Sequence, residues 1–253
     1  MWFTNVNVVH VEAVSAELAE AERRTSRRDR RTEEILDHAM KVVEEVGFDA
    51  LTLSRVAESL GYVTTAIYRY FPSKDALSAA LQRRAIDEIH RHFASELAAA
   101  RAAFVDATPQ TAALAMLFVA SETYLALPTT LPKAWHFVAL LLGDPRPLLS
   151  DEEAAKTRTF MGRFLLDVDA LFADAERTHA IDGAARHTKL LAFWAVLHGA
   201  SCLEKTRRLA EGFPGAVEIG RVGARALLVG FGASPQRLSA AAHLAGRLHE
   251  SSR

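Results

Sequence analysis

The amino-acid sequence predicts an all-α protein of nine to ten helices. Apolar residues recur at the helical spacing of three to four along almost the whole chain of 253 residues. The alternation typical of strands is weak and confined to the first dozen residues. Capping residues, glycines and prolines separate the periodic segments. Because half of the residues are hydrophobic, the chain can bury a sizeable core.

Composition narrows the classes of function. Lys and Arg total 30 and Asp and Glu total 31, so the net charge indicates neither a nucleic acid nor a membrane partner, and any such signal must be local. A single cysteine, Cys202, excludes an intramolecular disulfide and fits a reducing cytoplasm. The apolar start lacks the basic region of a signal peptide, and the apolar run 112–127 is shorter than the roughly 20 residues that span a bilayer. We therefore expect a cytoplasmic protein without a membrane partner.

The first predicted helix begins at Ser26, where Ser26 and Asp29 form a capping box, and ends at Gly47. Residues 1–25 are predicted to be a flexible extension. The segment from Arg23 to Arg31 contains six arginines and one acidic residue, Asp29, which gives it a local net charge of +5. This run is either a basic arm that follows DNA phosphates or enters the minor groove, or the solvated start of the helix. The predicted apolar stripe of the helix is Ile35, Ala39, Val42 or Val43, and Val46.

Three more helices complete the N-terminal part. A short second helix begins at Thr52 and ends at Gly61. A third can run only from about Val63 to Tyr70, because the Phe71-Pro72 pair stops it. Ser73 then caps a long fourth helix that reaches about residue 104.

The remaining chain contains longer predicted helices. Thr108 caps a fifth helix that ends at Pro128, and Ser150 opens a capping box for a helix that reaches about His179. Asp182 is predicted to cap the helix that ends at Glu211. The other segments are 132–142, 214–231 and a last helix from Ser234-Pro235.

Two short helices that are joined by a glycine turn and flanked by amphipathic helices form a helix-turn-helix arrangement. A helix of about two turns fits the major groove of DNA, where its side chains reach base edges. Thr52, Gly61, Ala66-Ile67-Tyr68 and the run Tyr70-Phe71-Pro72-Ser73-Lys74 resemble the TetR family of bacterial transcriptional regulators. The resemblance covers about residues 28–81.

The resemblance implies a helix-turn-helix DNA-binding domain over 26–74, which the long fourth helix joins to a C-terminal ligand-binding and dimerisation domain over 75–253. Val63 stands where the family commonly has Ser or Thr, so a hydroxyl cap is missing there. A threonine pair also predicts weaker base readout than arginine would give. By position, the resemblance implies phosphate contacts for Thr52, Ser54 and Lys74, base contacts for Thr64 and Thr65, and phosphate or thymine-methyl contacts for Tyr68 and Tyr70. The spacing of the apolar residues Ile67, Phe71 and Leu77 predicts that they pack the helices together.

The resemblance further implies a homodimer on a palindromic operator and a small-molecule effector. Helices at about 185–231 are the predicted interface. Five small residues there permit close helix approach: Gly220, Gly223, Ala224, Ala226 and Gly230. Three larger residues supply apolar area: Leu227, Leu228 and Val229. The stretch FWAVLHGA, 193–200, resembles the Trp...His-Gly signature of one C-terminal subgroup. The predicted effector cavity is lined by Phe118, Glu122, Trp135, His136, Phe160, Phe164, Trp194, His198 and Cys202, each of which is otherwise a packed core residue.

These features predict a repressor that a largely apolar ligand releases from DNA, without catalytic residues, cofactor or metal. The alternative is a helical-bundle enzyme or a metal sensor that uses scattered His and Glu residues. Glu176 and His179 have the Glu-x-x-His spacing of di-iron bundles, and Asp87 and His90 match it loosely. Further inward carboxylates are missing from the sequence, and no Gly-x-Ser-x-Gly motif occurs. A metal sensor would use His90, His92 or His179.

Overall fold

The computed structural model describes residues 6–143, 149–203 and 212–251, with side chains for 26–140, 149–203 and 212–248. This part of the chain is all-helical, as the sequence predicts, and contains ten helices. In chain order they are α1 (Val6–Val46), α2 (Leu53–Ser59), α3 (Thr64–Tyr68), α4 (Lys74–Ala103), α5 (Pro109–Thr130), α6 (Pro132–Gly143), α7 (Asp151–Arg177), α8 (Arg186–Cys202), α9 (Ala216–Gly230) and α10 (Pro235–Ser251).

The chain divides into two compact units, Met1–Leu81 and Gln82–Arg253. In the first unit, α1, α2 and α3 enclose a core of aliphatic side chains that includes Ile35, Leu51 and Ile67, all fully buried. A hydrogen bond of 3.2 Å between His38 Nδ1 and Ser59 Oγ also joins α1 to α2. The core is the one that the helical periodicity predicts.

Helix α1 ends at Val46, just before Gly47, as predicted, but its start differs from the prediction. It begins at Val6 and not at Ser26, so the arginine run lies within a continuous helix of 41 residues. The predicted stripe is buried at Ile35, Ala39, Val42 and Val43, but Val46 is half exposed. Arginine, glutamate and alanine all favour helix, and this local propensity carries the helix through a segment whose polar residues were interpreted as a boundary.

Glycine is required at the turn between α2 and α3. Gly61 has a φ of 69°, in the left-handed region that L side chains rarely adopt. We predict that Gly61→Ala lowers the free energy of unfolding by about 1 kcal/mol, because a Cβ there strains the backbone. Thermal and urea unfolding measure the loss. Gly162→Ala is the control: it lies within α7 with open space around it, and should be neutral or slightly stabilising.

The second unit is built around α5. This helix is long and apolar enough to cross a membrane, but 72% of its most apolar window is buried within the protein, as in a core helix. Gly220 of α9 lies against α5, since a Cβ at this glycine would be 2.5 Å from Leu125 Cδ2. A Cβ at Gly223 would overlap Val196 of α8. Both glycines therefore serve packing within the chain.

Two predicted helix boundaries in this unit are wrong. Pro128 lies inside the last turn of α5, which continues to Thr130, where the Thr129 and Thr130 hydroxyls both donate to the Ala126 carbonyl. Asp182 does not cap α8, since α8 begins after Ala185. The backbone N–H of Asp182 donates to Phe231 O at 2.8 Å, so this residue connects the start of α8 to the end of α9.

Candidate nucleic-acid interface and effector cavity

The α2–α3 pair places the predicted DNA-contacting residues on the surface of the first unit. The backbone N–H of Arg55 donates to Thr52 Oγ1 at 3.2 Å, so Thr52 caps α2 and keeps its own hydroxyl hydrogen for another acceptor. Val63 is the N-cap of α3 and makes no side-chain cap bond, as the sequence predicts. Ile67, Phe71 and Leu77 are buried, and so hold α3 against the core.

Exposure separates the predicted contact residues into two groups. Thr52, Ser54, Thr65, Tyr68 and Lys74 are exposed, and Tyr68 presents 53% of its surface. Thr64 and Tyr70 are half-buried. Val63, 71% exposed, adds an apolar group at the start of α3 that the prediction did not include. Thymine methyl groups accept contacts of this kind.

Lys74 is held in a fixed position at the start of α4. Its Nζ donates to the backbone carbonyl of Asp49 at 3.0 Å and lies 5.7 Å from the centre of the Phe48 ring. Both partners are uncharged at the contact atoms, so the ammonium keeps its full charge. Lys74 can therefore donate its remaining hydrogens to a phosphate.

A concave basic surface lies between α1 and the end of α3. Its cavity of about 490 Å³ is lined by five arginines together with Glu34 and Tyr70, and we call these arginines, Arg27, Arg28, Arg30, Arg31 and Arg69, the arginine surface. Arg31 is anchored, because its Nη1 donates to Glu34 Oε2 at 2.5 Å and to the Tyr62 hydroxyl. None of the other four has an ion-pair partner among the described residues.

The arginine surface differs from the basic arm considered above. Four of its arginines project from helix α1: Arg27, Arg28, Arg30 and Arg31. The fifth, Arg69, is the C-cap of α3 and comes from nearly forty residues further along the chain to line the same cavity. Guanidinium groups bind phosphates through paired N–H donors. A preformed set of them beside α3 can therefore bind the DNA backbone next to the bases that α3 would read.

Two small apolar cavities lie in the second unit and share Tyr124, Phe164 and Trp194 as lining residues. Each has a volume of about 20 Å³, close to that of one water molecule. Helices α4 and α7 supply Ile86, Ile89 and Met161 to the first cavity, and α4 supplies Phe93 to the second. An effector larger than a water molecule must therefore separate these helices to enter.

A chain of polar contacts runs beside the two cavities. Trp194 Nε1 donates to the Tyr124 hydroxyl at 3.0 Å, and the same hydroxyl lies 3.0 Å from His198 Nδ1. Burial raises the pKa of Tyr124 and lowers the pKa of His198, so both side chains are neutral at physiological pH. The Tyr124 hydroxyl donates to His198 Nδ1 in the Nε2–H tautomer and accepts from it in the Nδ1–H tautomer, and His198 Nε2 lies 3.7 Å from Cys202 Sγ.

Comparison with known proteins agrees with the arrangement of α1 to α4 in the first part of the chain. Residues 35–81, from α1 into α4, match the sequence model described as bacterial regulatory proteins of the tetR family. The comparisons support a regulator of the TetR family. No curated protein sequence matches the chain.

Solved structures show the same fold. A TetR/AcrR-family regulator from Thermobifida fusca is 24% identical, with a TM-score of 0.52 over 79% of this chain and 98% of its own. FadR from Bacillus subtilis, in complex with stearoyl-CoA, is 16% identical with a TM-score of 0.57 over 78% and 98%. AibR, in complex with isovaleryl coenzyme A and operator DNA, is 15% identical with a TM-score of 0.58 over the same shares. The all-α TetR-type architecture predicted from the sequence is confirmed.

The structure brings some of the predicted effector residues together. Phe164 and Trp194 line both cavities, and Trp135 lies with its ring edge-on to Tyr124, at a centroid distance of 5.5 Å. His198 and Cys202 continue the polar chain. Tyr124 was not among the predicted residues. The sequence offered one signal for Tyr124, namely a tyrosine within the apolar run 112–127, because a buried tyrosine hydroxyl requires a hydrogen-bond partner.

The other predicted effector residues lie apart from the cavities. Both carboxylate oxygens of Glu122 accept from Arg221 at 2.6 Å, which ties α5 to α9. His136 is exposed, and Phe160 is half-buried with Arg163 over its ring at 5.8 Å. Phe118 is half-buried and lines neither cavity.

The His and carboxylate pairs of the alternative prediction have other partners. Glu176 accepts from Arg186 at 3.5 Å, and Asp87 accepts from Arg91 at 3.1 Å. His90 Nε2 lies 2.7 Å from Asp167 Oδ2. Across the described residues, no three His, Cys, Asp or Glu side chains are grouped as metal ligands.

Proposed function

We propose that this protein is a cytoplasmic homodimeric repressor of the TetR type, which binds a palindromic operator and leaves it when a small, largely apolar effector enters the second unit. The observation that carries the DNA-binding proposal is the set of exposed hydroxyls and cations around α3, with the arginine surface beside it. Repression itself is carried over from the common behaviour of the family.

The proposed DNA contacts fall into two classes. Thr52, Ser54, Lys74 and the arginine surface bind phosphates, which set the register of α3 on the duplex. Val63, Thr65 and Tyr68 face the major groove. Methyl groups and single hydroxyls make up most of this set, so the expected sequence readout is modest and depends on thymine methyls.

Lys74→Ala tests the DNA-binding proposal. The logarithm of affinity falls with the logarithm of salt concentration by about 0.9 for each phosphate neutralised. We expect the full-length protein to bind random duplex DNA with a steep slope, and Lys74→Ala to reduce that slope by about one. Fluorescence anisotropy at a series of salt concentrations measures both.

Arg158→Ala is the matched control, since Arg158 is exposed on α7 in the second unit and its loss removes the same charge. It should leave the slope unchanged. DNA binding that does not respond to salt, or equal slopes for all three proteins, would refute the proposal.

Dimerisation through about 185–231 is supported by only part of the predicted set on α9, to which Val222 is added. Gly220, Ala224 and Leu228 are buried within the chain. Val222, Ala226 and Val229 are exposed apolar positions that follow the i, i+4, i+7 spacing of one helix face, and we call them the α9 stripe. Val217, 38% exposed, lies outside this spacing. Leu191 of α8, also half exposed, adds area on the helix that packs against α9. Such a self-complementary stripe suits a two-fold interface.

The effector proposal is supported by the two apolar cavities and by the polar chain at Tyr124. Among the described residues, none that lines either cavity is charged, so the bound part of the effector is expected to be apolar. FadR and AibR hold acyl-CoA molecules in their structures, but the phosphates of such a ligand would need cations that these two linings do not offer. Because α4 is continuous from Lys74 to Ala103, a shift of its cavity-lining turns can be transmitted to Lys74.

The similarity of 193–200 to the Trp...His-Gly subgroup is part of the same proposal. It is supported by the contacts of Trp194 and His198, which both bond to the Tyr124 hydroxyl. In this interpretation the signature residues form the polar wall of the effector site.

A further inference from the structure

Gln82 is a fully buried amide on α4 that has no hydrogen-bond partner in the described part of the chain. Its relative exposure is 0%, and neither Nε2 nor Oε1 has a partner among the described residues. Buried side-chain polar atoms are nearly always hydrogen-bonded, so an amide with both atoms unpaired requires an explanation. One explanation is a bound group that supplies both a donor and an acceptor.

Thr157 on α7 presents a second unpaired group. The residue is buried, and its hydroxyl likewise has no partner within the described part of the chain. Threonine on a helix can turn its hydroxyl to the carbonyl four residues back, as Ser121 does to Leu117 at 2.8 Å. Gln82 is therefore the stronger observation, and Thr157 supports it.

Both residues lie one helical turn from a residue that lines the first cavity. Gln82 is one turn before Ile86, and Thr157 is one turn before Met161, and this Ile and Met both line that cavity. Arg83, next to Gln82, donates to Glu153 at 2.8 Å and so joins the same two helices. Glu153 in turn lies one turn before Thr157, so an ion pair between α4 and α7 is close in sequence to both unpaired groups.

We propose that Gln82 and Thr157 bind a neutral polar group at one end of the effector, while its apolar part lies beside Ile86, Met161 and Phe164. This inference rests on the proposed effector function and names the chemical class of the ligand: an apolar chain or ring that ends in an amide, alcohol or ketone. The amide of Gln82 can both donate to such a group and accept from it.

Charge argues against an ionised effector at this position. Glu153, one turn before Thr157, is already paired, because it accepts from Arg83 and, at 2.7 Å, from Lys156. The described residues that line the first cavity include no charged side chain. A carboxylate placed against Gln82 would lose its hydration without gaining a counter-ion, which costs far more than burying a neutral group.

Calorimetric titration of the full-length protein with eight-carbon probes tests the inference. We expect octanamide and 1-octanol to bind about tenfold more tightly than octanoate at pH 8 and than octanoyl-CoA. Gln82→Met, which keeps the volume and removes the amide, should weaken octanamide binding about tenfold. Thr157→Val should weaken it severalfold.

Stability of the ligand-free protein gives an independent readout. Replacing an unpaired buried polar group by an apolar group of similar shape is neutral or stabilising, so Gln82→Met should keep Tm or raise it by a few degrees. Thr123→Val is the matched control. Thr123, on α5, is also buried with a hydroxyl that has no partner among the described residues, so Thr123→Val should likewise keep Tm or raise it.

Four results would overturn the inference: failure of octanamide to bind, unchanged binding in Gln82→Met, tighter binding of octanoate or octanoyl-CoA, or a lower Tm in Gln82→Met. The last would show that ordered water already satisfies the amide. DNA binding is measured separately by anisotropy. If octanamide binding depends on Gln82 but DNA affinity does not change with octanamide, the polar site stands and the proposed effector control fails.

Discussion

Reversing two charges of the arginine surface, in the double variant Arg28→Glu and Arg69→Glu, is expected to lower affinity for duplex DNA about a hundredfold at 0.1 M salt. Each substitution removes one phosphate contact and adds a like charge beside the DNA backbone. The salt slope should fall by about two. Fluorescence anisotropy with random and operator DNA measures both quantities.

The expected loss is general and does not depend on sequence. These arginines lie beside α3 rather than on its exposed face, so their contacts are with phosphates, which are the same at every site. Affinity for operator and for random DNA should therefore fall by the same factor. A loss restricted to the operator would instead place these arginines on base edges.

Charge reversal on the second unit is the control for this double variant. Arg158→Glu with Arg237→Glu changes the net charge by the same amount on exposed positions of α7 and α10. DNA binding should stay within about threefold of the wild type, a small change from long-range charge. Equal losses in both double variants would mean that overall charge, and not the arginine surface, determines binding.

The helix-turn-helix part was predictable because its signals are local. Thr52, Gly61, Val63 and Ser73 occupy capping and turn positions whose chemistry depends on neighbours a few residues away, and the structure places each at a cap or turn as expected. The start of α1 was missed for the same reason. Ser26 and Asp29 satisfy a local capping rule, but the residues before them also favour helix. A local rule does not decide whether a helix begins at Ser26 or continues through it.

The arginine surface and the cavities could not be located from sequence, because each brings together distant segments. Arg69 joins Arg27 and Arg28 only through the packing of α3 on α1. Periodicity identifies the apolar side of a helix but not its neighbour. Gly223 was therefore assigned to an interface between subunits, although it lies against Val196 of the same chain.

The effector residues show the same limit. The prediction selected aromatic and polar side chains by type, and these occur both in cores and in binding sites. Trp194 and Phe164 reach the cavities, whereas Glu122 is paired with Arg221. Only the helix packing distinguishes them. Gln82 was not among the predicted effector residues, because a single glutamine on an amphipathic helix is normally exposed.

The second large effect is expected at the α9 stripe. We predict that Val222→Glu with Val229→Glu converts the protein from a dimer to a monomer of 27.7 kDa at micromolar concentration. Val222 is 66% and Val229 is 46% exposed in the single chain, so the carboxylates are tolerated in the monomer. In the dimer, two-fold symmetry would bury four of them, and the loss of apolar contact adds to that cost. Analytical ultracentrifugation measures the mass.

The monomer should retain the first unit, so DNA binding separates two effects. Affinity for a single half-site is expected to be unchanged, while affinity for the palindromic operator should fall about a hundredfold or more, because two linked half-sites no longer act together. Val105→Glu is the control, since Val105 is 78% exposed in the connection between α4 and α5 and carries the same substitution outside the stripe. If the stripe variant stays dimeric with an intact helical circular dichroism spectrum, the two-fold contact lies elsewhere. The operator affinity would then be unaffected, because both reading units would still be held at the spacing of the two half-sites.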